Sequence, residues 1–91
     1  MPCYFVETYL ARGDAGRRLE LERQARSAAV EQTRTGVPVR FAGAIHLPED
    51  ETCFFAFDAG SSRDAAQVAQ RAGLEPFRIG EAVSSREENP K

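Results

Sequence analysis

An α+β domain, with two helices laid on one face of a four-stranded antiparallel sheet, is the fold class this sequence predicts. Three observations lead to it. Segments of strand and helix character follow one another in the order βαββαβ along 91 residues. The central stretch Val39 to Ala59 (VRFAGAIHLPEDETCFFAFDA) sets two apolar runs around a charged tip, Pro48-Glu49-Asp50-Glu51, the pattern of a hairpin. Each helical segment is bounded by residues that start or stop helices, Asp14 and Gly36 for the first, Ser61 and Gly73 for the second. This order is the ferredoxin-like split βαβ arrangement, with the first and third strands in the middle of the sheet.

Each element has its own reason. Cys3 to Leu10 (CYFVETYL) is rich in aromatic and β-branched residues and reads as the first strand. Asp14 is a fitting N-cap for the Ala-, Leu-, Glu- and Arg-rich run that continues to Thr35. Within it Leu21, Ala25, Ala28 and Ala29 recur at helical spacing and mark the buried face. The second strand spans about Val39 to Leu47 and the third Thr52 to about Asp58. Ser61 followed by Asp64 matches a capping box, after which Ala65, Val68, Ala69 and Ala72 form one stripe of the second helix. Phe77 to Val83 is the fourth strand. Residues 1–84 are expected to form one ferredoxin-like domain, and 85–91 a polar, disordered tail.

Composition removes several function classes. At 42% hydrophobic and 29% charged, the chain has the make-up of a soluble globular protein. A formal charge of -2 and the lack of a Lys/Arg stripe argue against nucleic acid as a partner. No apolar run approaches the roughly 20 residues that cross a bilayer, so no membrane partner is expected. The first residues lack the basic-then-apolar pattern of a secretory signal, and the expected location is the cytoplasm. Cys3 and Cys53 are too few for a disulfide scaffold and lack CxxC spacing. No Ser/His/Asp set or phosphate-binding glycine loop is present.

The third strand carries the functional expectation. TCFFAF does not alternate apolar with polar, so it calls for cover on both faces. Helices supply one layer, and a second copy of the chain or a ligand would supply the other. With Pro48 to Glu51 as the loop, Leu47 pairs with Thr52 and His46 with Cys53. Aligning strand centres then sets Tyr9 near Cys53 and Glu7 near Phe55. Val6, Leu10, Val39, Phe41, Ile45, Phe54 and Ala56 fall on the helix-covered face. Phe5, Glu7, Tyr9, Arg40, Ala42, Ala44, His46, Cys53, Phe55 and Phe57 fall on the other. His46, Cys53 and Glu7 are the candidate metal ligands, since imidazole and thiolate suit nickel, zinc or Cu(I) and a carboxylate adds an oxygen. Tyr9, Phe5, Arg40 and Phe55 are the candidate pocket around them. The competing reading packs His46 and Cys53 at a subunit interface, with Glu7 paired to Arg40 or Arg78.

A series of short motifs also supports a family resemblance. MPxYxVExYL at the start, GxPVRF entering the second strand, LPEDETCF through the hairpin, and RAGL with RIxEAV near the end run through the chain to about Val83. The carriers include Pro2, Tyr4, Val6, Glu7, Pro38, Val39, Arg40, Cys53, Gly73, Ile79 and Glu81. Together they resemble a family of small actinobacterial proteins, a domain of unknown function that includes nickel-binding proteins. The resemblance implies a ferredoxin-like fold assembled as a dimeric α/β barrel, and makes nickel or another divalent transition metal the metal to consider.

The expected function is therefore a small cytoplasmic homodimeric binding protein, holding a transition metal or a small ligand between facing sheets. Two alternatives stand beside it. One is a cofactor-independent dimeric α/β-barrel enzyme, such as a monooxygenase or isomerase, with Glu7 or His46 as proton acceptor. The other is a structural or regulatory module with no site.

Overall fold

The computed structural model describes residues 1–83, so the expected tail at 85–91 lies outside the described residues. The elements are β1 (Cys3–Tyr9), α1 (Ala15–Arg34), β2 (Val39–Leu47), a 3₁₀ turn (Pro48–Asp50), β3 (Thr52–Ala59), α2 (Ser62–Arg71) and β4 (Pro76–Ala82). All neighbouring strands are antiparallel, in the order β2-β3-β1-β4, with β1 and β3 central. This is the ferredoxin-like α+β arrangement. No helix among the described residues is long and apolar enough to cross a membrane.

Local chemistry sets the ends of each helix. The Asp14 carboxylate accepts from the backbone N–H of Arg17 at 3.1 Å, and the Ser61 hydroxyl accepts from that of Asp64 at 3.2 Å. Each satisfies a donor that the first helical turn would otherwise leave free. At the other ends Gly36 and Gly73 adopt φ of +104° and +79°, where a side chain would be strained. The Thr33 hydroxyl then ties α1 to the start of β2. It accepts from the Val39 N–H at 3.0 Å and donates to the Val39 carbonyl at 2.9 Å.

The core lies between this helix pair and one face of the sheet. Leu21, Ala25, Ala28 and Ala29 of α1 are buried, as are Ala65, Val68 and Ala69 of α2 and Ala72 just after it. Mostly alanine stripes let the helices come close to the strands, and large side chains on the sheet fill the space. The fully buried amide of Gln32 donates from Nε2 to the Asp64 carbonyl at 3.0 Å, joining α1 to the first turn of α2.

The faces of the sheet differ from the expected assignment. Cys53, Phe55 and Phe57 are fully buried beneath the helices, together with Tyr4, Val6 and Thr8. Phe54 and Ala56, expected in the core, are half-buried on the open face. The cause is a slip of one residue between β1 and β3: Tyr9 pairs with Thr52 and Glu7 with Phe54, whereas Thr8 meets Cys53. A one-residue slip exchanges every side chain between faces.

A second difference lies in β2. The hairpin pairing holds, with Leu47 opposite Thr52 and His46 opposite Cys53. Val39 and Phe41 pack toward the core as expected. Between Phe41 and Gly43 the register shifts by a β-bulge, with Gly43 at φ +142°. An inserted residue breaks the alternation. Beyond it Ala44 packs against the core, while Ile45 is turned out and 52% exposed. His46, in step with Cys53, faces the helix side.

Candidate functional site

The open face of the sheet gathers the larger group of candidate residues. Cross-strand pairing there runs Cys3 with Asp58, Phe5 with Ala56, Glu7 with Phe54 and Tyr9 with Thr52. From β2, Ile45 stands beside Phe54 and Leu47 beside Thr52; from β4, Gly80 stands beside Phe5 and Arg78 beside Glu7. Phe5 and Phe54 meet diagonally, ring centroids 5.9 Å apart and planes tilted by 47°. Aromatic neighbours at that spacing gain from tilted ring-to-ring contact as well as from burial. Tyr9, Ile45 and Leu47 extend the apolar surface toward the hairpin end, all exposed.

Glu7 supplies the charge at the centre of this face. Its Oε1 lies 3.1 Å from an Arg78 guanidinium nitrogen; the carboxylate side chain is 23% exposed and the arginine 77%. One partner is thus held by the sheet while the other reaches over it from an edge strand. Phe5, Glu7, Phe54, Arg78 and Gly80 line a hollow of about 390 Å³. Gly80 leaves open the space a side chain would occupy above β4. The volume is in the range of small-molecule sites.

Arg40 closes the other end of the face. Its guanidinium donates to one Asp58 carboxylate oxygen from Nε at 3.0 Å and from an Nη at 2.6 Å. Cys3 sits beside Asp58, and its thiol pKa is raised, first by burial, then by the Asp58 charge and hydrogen bond, against a lowering by Arg40. Both cysteines are free.

The remaining candidates belong to the helix side. His46 and Cys53 face each other across β2 and β3, and Phe55 follows two residues along β3 in the core. Burial pushes the Cys53 thiol up to about 11, offset by the Arg18 guanidinium and reinforced by the Glu22 carboxylate on α1. Arg18 and Glu22 bond each other at 3.2 Å. The Nε2 of His46 and the Nε of Arg18 are shielded from solvent with no hydrogen-bond partner among the described residues.

The sheet therefore separates the candidate residues. Phe5, Glu7, Tyr9 and Arg40 share the open face, though Arg40 lies apart from the hollow. His46, Cys53 and Phe55 point the other way, which corrects the expected row of His46, Cys53 and Tyr9 with Glu7 beside it. Glu7 cannot join His46 and Cys53 around one ion within a subunit. Among the described residues no group of three or more His, Cys, Asp or Glu could hold a metal ion. Those donors do not fit a nickel centre built from one chain. Phe54 is a lining residue that sequence reasoning placed in the core. Its signal was available: Thr52, Phe54, Ala56 and Asp58 share a face, and two of the four are polar.

Comparison with known proteins bears on the fold. Neither a family model nor a curated protein matches this chain. A solved structure does match: SCO4226 from Streptomyces coelicolor A3(2), with a TM-score of 0.69 and 21% identity, covering 92% of this chain and 99% of that one. At that identity the likeness shows a common fold.

Proposed function

We propose that this chain is a small homodimeric binding protein of the cytoplasm, two copies turning their open sheet faces toward each other around a small ligand. The observation that carries this reading is the uncovered apolar face. Phe5, Phe54, Ala56, Ile45 and Leu47 form a continuous surface on a sheet whose reverse side is already filled by helices. A contiguous exposed patch of that kind marks a place of association on a small protein. The resemblance to dimeric α/β-barrel proteins supports the same geometry. Between such faces the Phe5/Phe54 rings would supply an apolar floor, and the Glu7–Arg78 pair the polar contact that orients a ligand.

In this reading a divalent metal such as nickel is one ligand to be tested, with Glu7 of each protomer as its nearest donor. His46 and Cys53, under the helices, take no part. Sedimentation equilibrium tests the assembly. The expected mass is about twice the 10.0 kDa of the chain, falling to a single chain in Phe54→Glu. A monomer at high concentration would overturn the proposal. Native mass spectrometry after loading with nickel or zinc tests the metal version, which fails if Glu7→Gln retains as much metal as the parent.

A further inference from the structure

The helix side of the sheet holds a pair of soft donors that the proposed function does not use. From their placement we infer that His46 and Cys53 form a two-coordinate site for a univalent d¹⁰ ion, Cu(I) being the probe of choice. The two residues are direct partners on β2 and β3. Cross-strand partners on one face have Cβ atoms roughly 4.5–5.5 Å apart, close enough for an imidazole and a thiol to grip one ion from either side. Cys53 is fully buried, and the Nε2 of His46 is shielded from water with no hydrogen-bond partner among the described residues. An imidazole nitrogen in that state has lost its solvation without a compensating bond, a cost that a bound ion would remove.

The size of the donor set selects the ion. Nickel and zinc take four or more ligands, and among the described residues no group of three or more acids, imidazoles or thiols forms around this pair. Cu(I) is content with two soft ligands in a line, and thiolate with imidazole is a pairing it favours. On binding, the Cys53 S–H bond breaks and the proton leaves to solvent. Bonds from sulfur and from Nε2 to the ion replace it. The ion keeps its oxidation state, and the site becomes electrically neutral overall. Entry is from the β2 edge, where His46 is partly exposed while Cys53 behind it is not. Arg18 and Glu22 of α1 overlie the thiol and act on its charge. The inference is independent of the dimer, since no residue of the open face takes part.

The test is competition for Cu(I) between the reduced full chain and bicinchoninate, without oxygen. The expected result is one ion withdrawn per chain, none by Cys53→Ala, and binding weakened at least about tenfold by His46→Phe, while Cys3→Ser behaves as the parent. Because the Cys53 proton is displaced, affinity should rise by about tenfold per pH unit between about pH 7.5 and 8.5. Should Cys53→Ala fold poorly, the ¹⁵N shift of His46 Nε2 in the parent protein answers the same question and must move on addition of Cu(I). Withdrawal by Cys53→Ala equal to the parent, loss in Cys3→Ser, or an unmoved Nε2 signal would overturn the inference; in the last case a buried water satisfies the imidazole. A monomer in the centrifuge would remove the proposed dimer and leave this result untouched.

Discussion

Beneath the helices, Phe55 and Phe57 are sealed from water and share a core with alanines of α1 and α2. On the reverse of the same two central strands, Phe5 and Phe54 touch each other and remain half open to solvent. The chemistry is alike on both sides and the cover is not. Burial of a phenyl ring is worth more the more completely water is removed from it, so one face contributes far more to holding the fold together than the other. Polar groups follow the same division. Under the helices the buried ones are few; on the open face charges come in pairs, Arg40 with Asp58 and Arg78 with Glu7.

The largest effect that would break this comparison comes from equivalent truncations on the two faces. Phe55→Ala should cost about 3–5 kcal/mol of unfolding free energy in urea, and Phe54→Ala only about 1 kcal/mol at low protein concentration. If the proposed dimer forms, the cost of Phe54→Ala grows with protein concentration and that of Phe55→Ala does not. Equal costs at all concentrations would show that the two faces are equally covered.

Next in size is an alkaline effect confined to the helix side. The folded protein holds the Cys53 proton up to about 11, against an ordinary value of 9.0. A raised folded pKa adds stability that is complete below pH 9 and lost as pH climbs through 11. The loss amounts to about 2–3 kcal/mol. The difference in urea midpoint between the parent and Cys53→Ala should therefore change over pH 9–11 and stay constant below it. A difference independent of pH would mean that the thiol is less buried than it stands here.

Smaller still is the effect at the bulge. Gly43→Ala meets no neighbouring atom, so its expected cost of about 1–2 kcal/mol arises wholly from a positive φ. Thermal melts of Gly43→Ala and of Gly80→Ala, which lacks that strain, separate the two. The smallest effect belongs to the exposed ion pair. Arg78→Ala should change stability by less than about 1 kcal/mol, and still less at high salt.

How much of this was legible in the sequence depends on the range of the interaction that decides it. Helix ends were legible because Asp14, Ser61, Gly36 and Gly73 act on neighbours in the chain. The buried stripes of α1 and α2 were legible from spacing alone. The hairpin pairing of His46 with Cys53 followed from loop length. The partner of Glu7 was among the weighed alternatives, as Arg78. Pairing of β1 with β3 was not legible by aligning centres, because forty-odd residues separate the strands and no turn sets their register. The polar members Thr52 and Asp58 of the open face held that information, and the run of aromatic residues between them hid it. The bulge at Ala42-Gly43 escaped for another reason. Small residues in a strand permit an irregularity without declaring it, and one extra residue was enough to put Ile45 and His46 on unexpected sides.

That bulge also bears on how copies of this chain can meet. β2 is an outer strand, and an outer strand with straight, regular backbone invites a further strand to be laid along it. With Ala42 inserted, its free edge is kinked halfway along and offers no unbroken ladder of amides. Addition of a further strand along this rim is thereby discouraged.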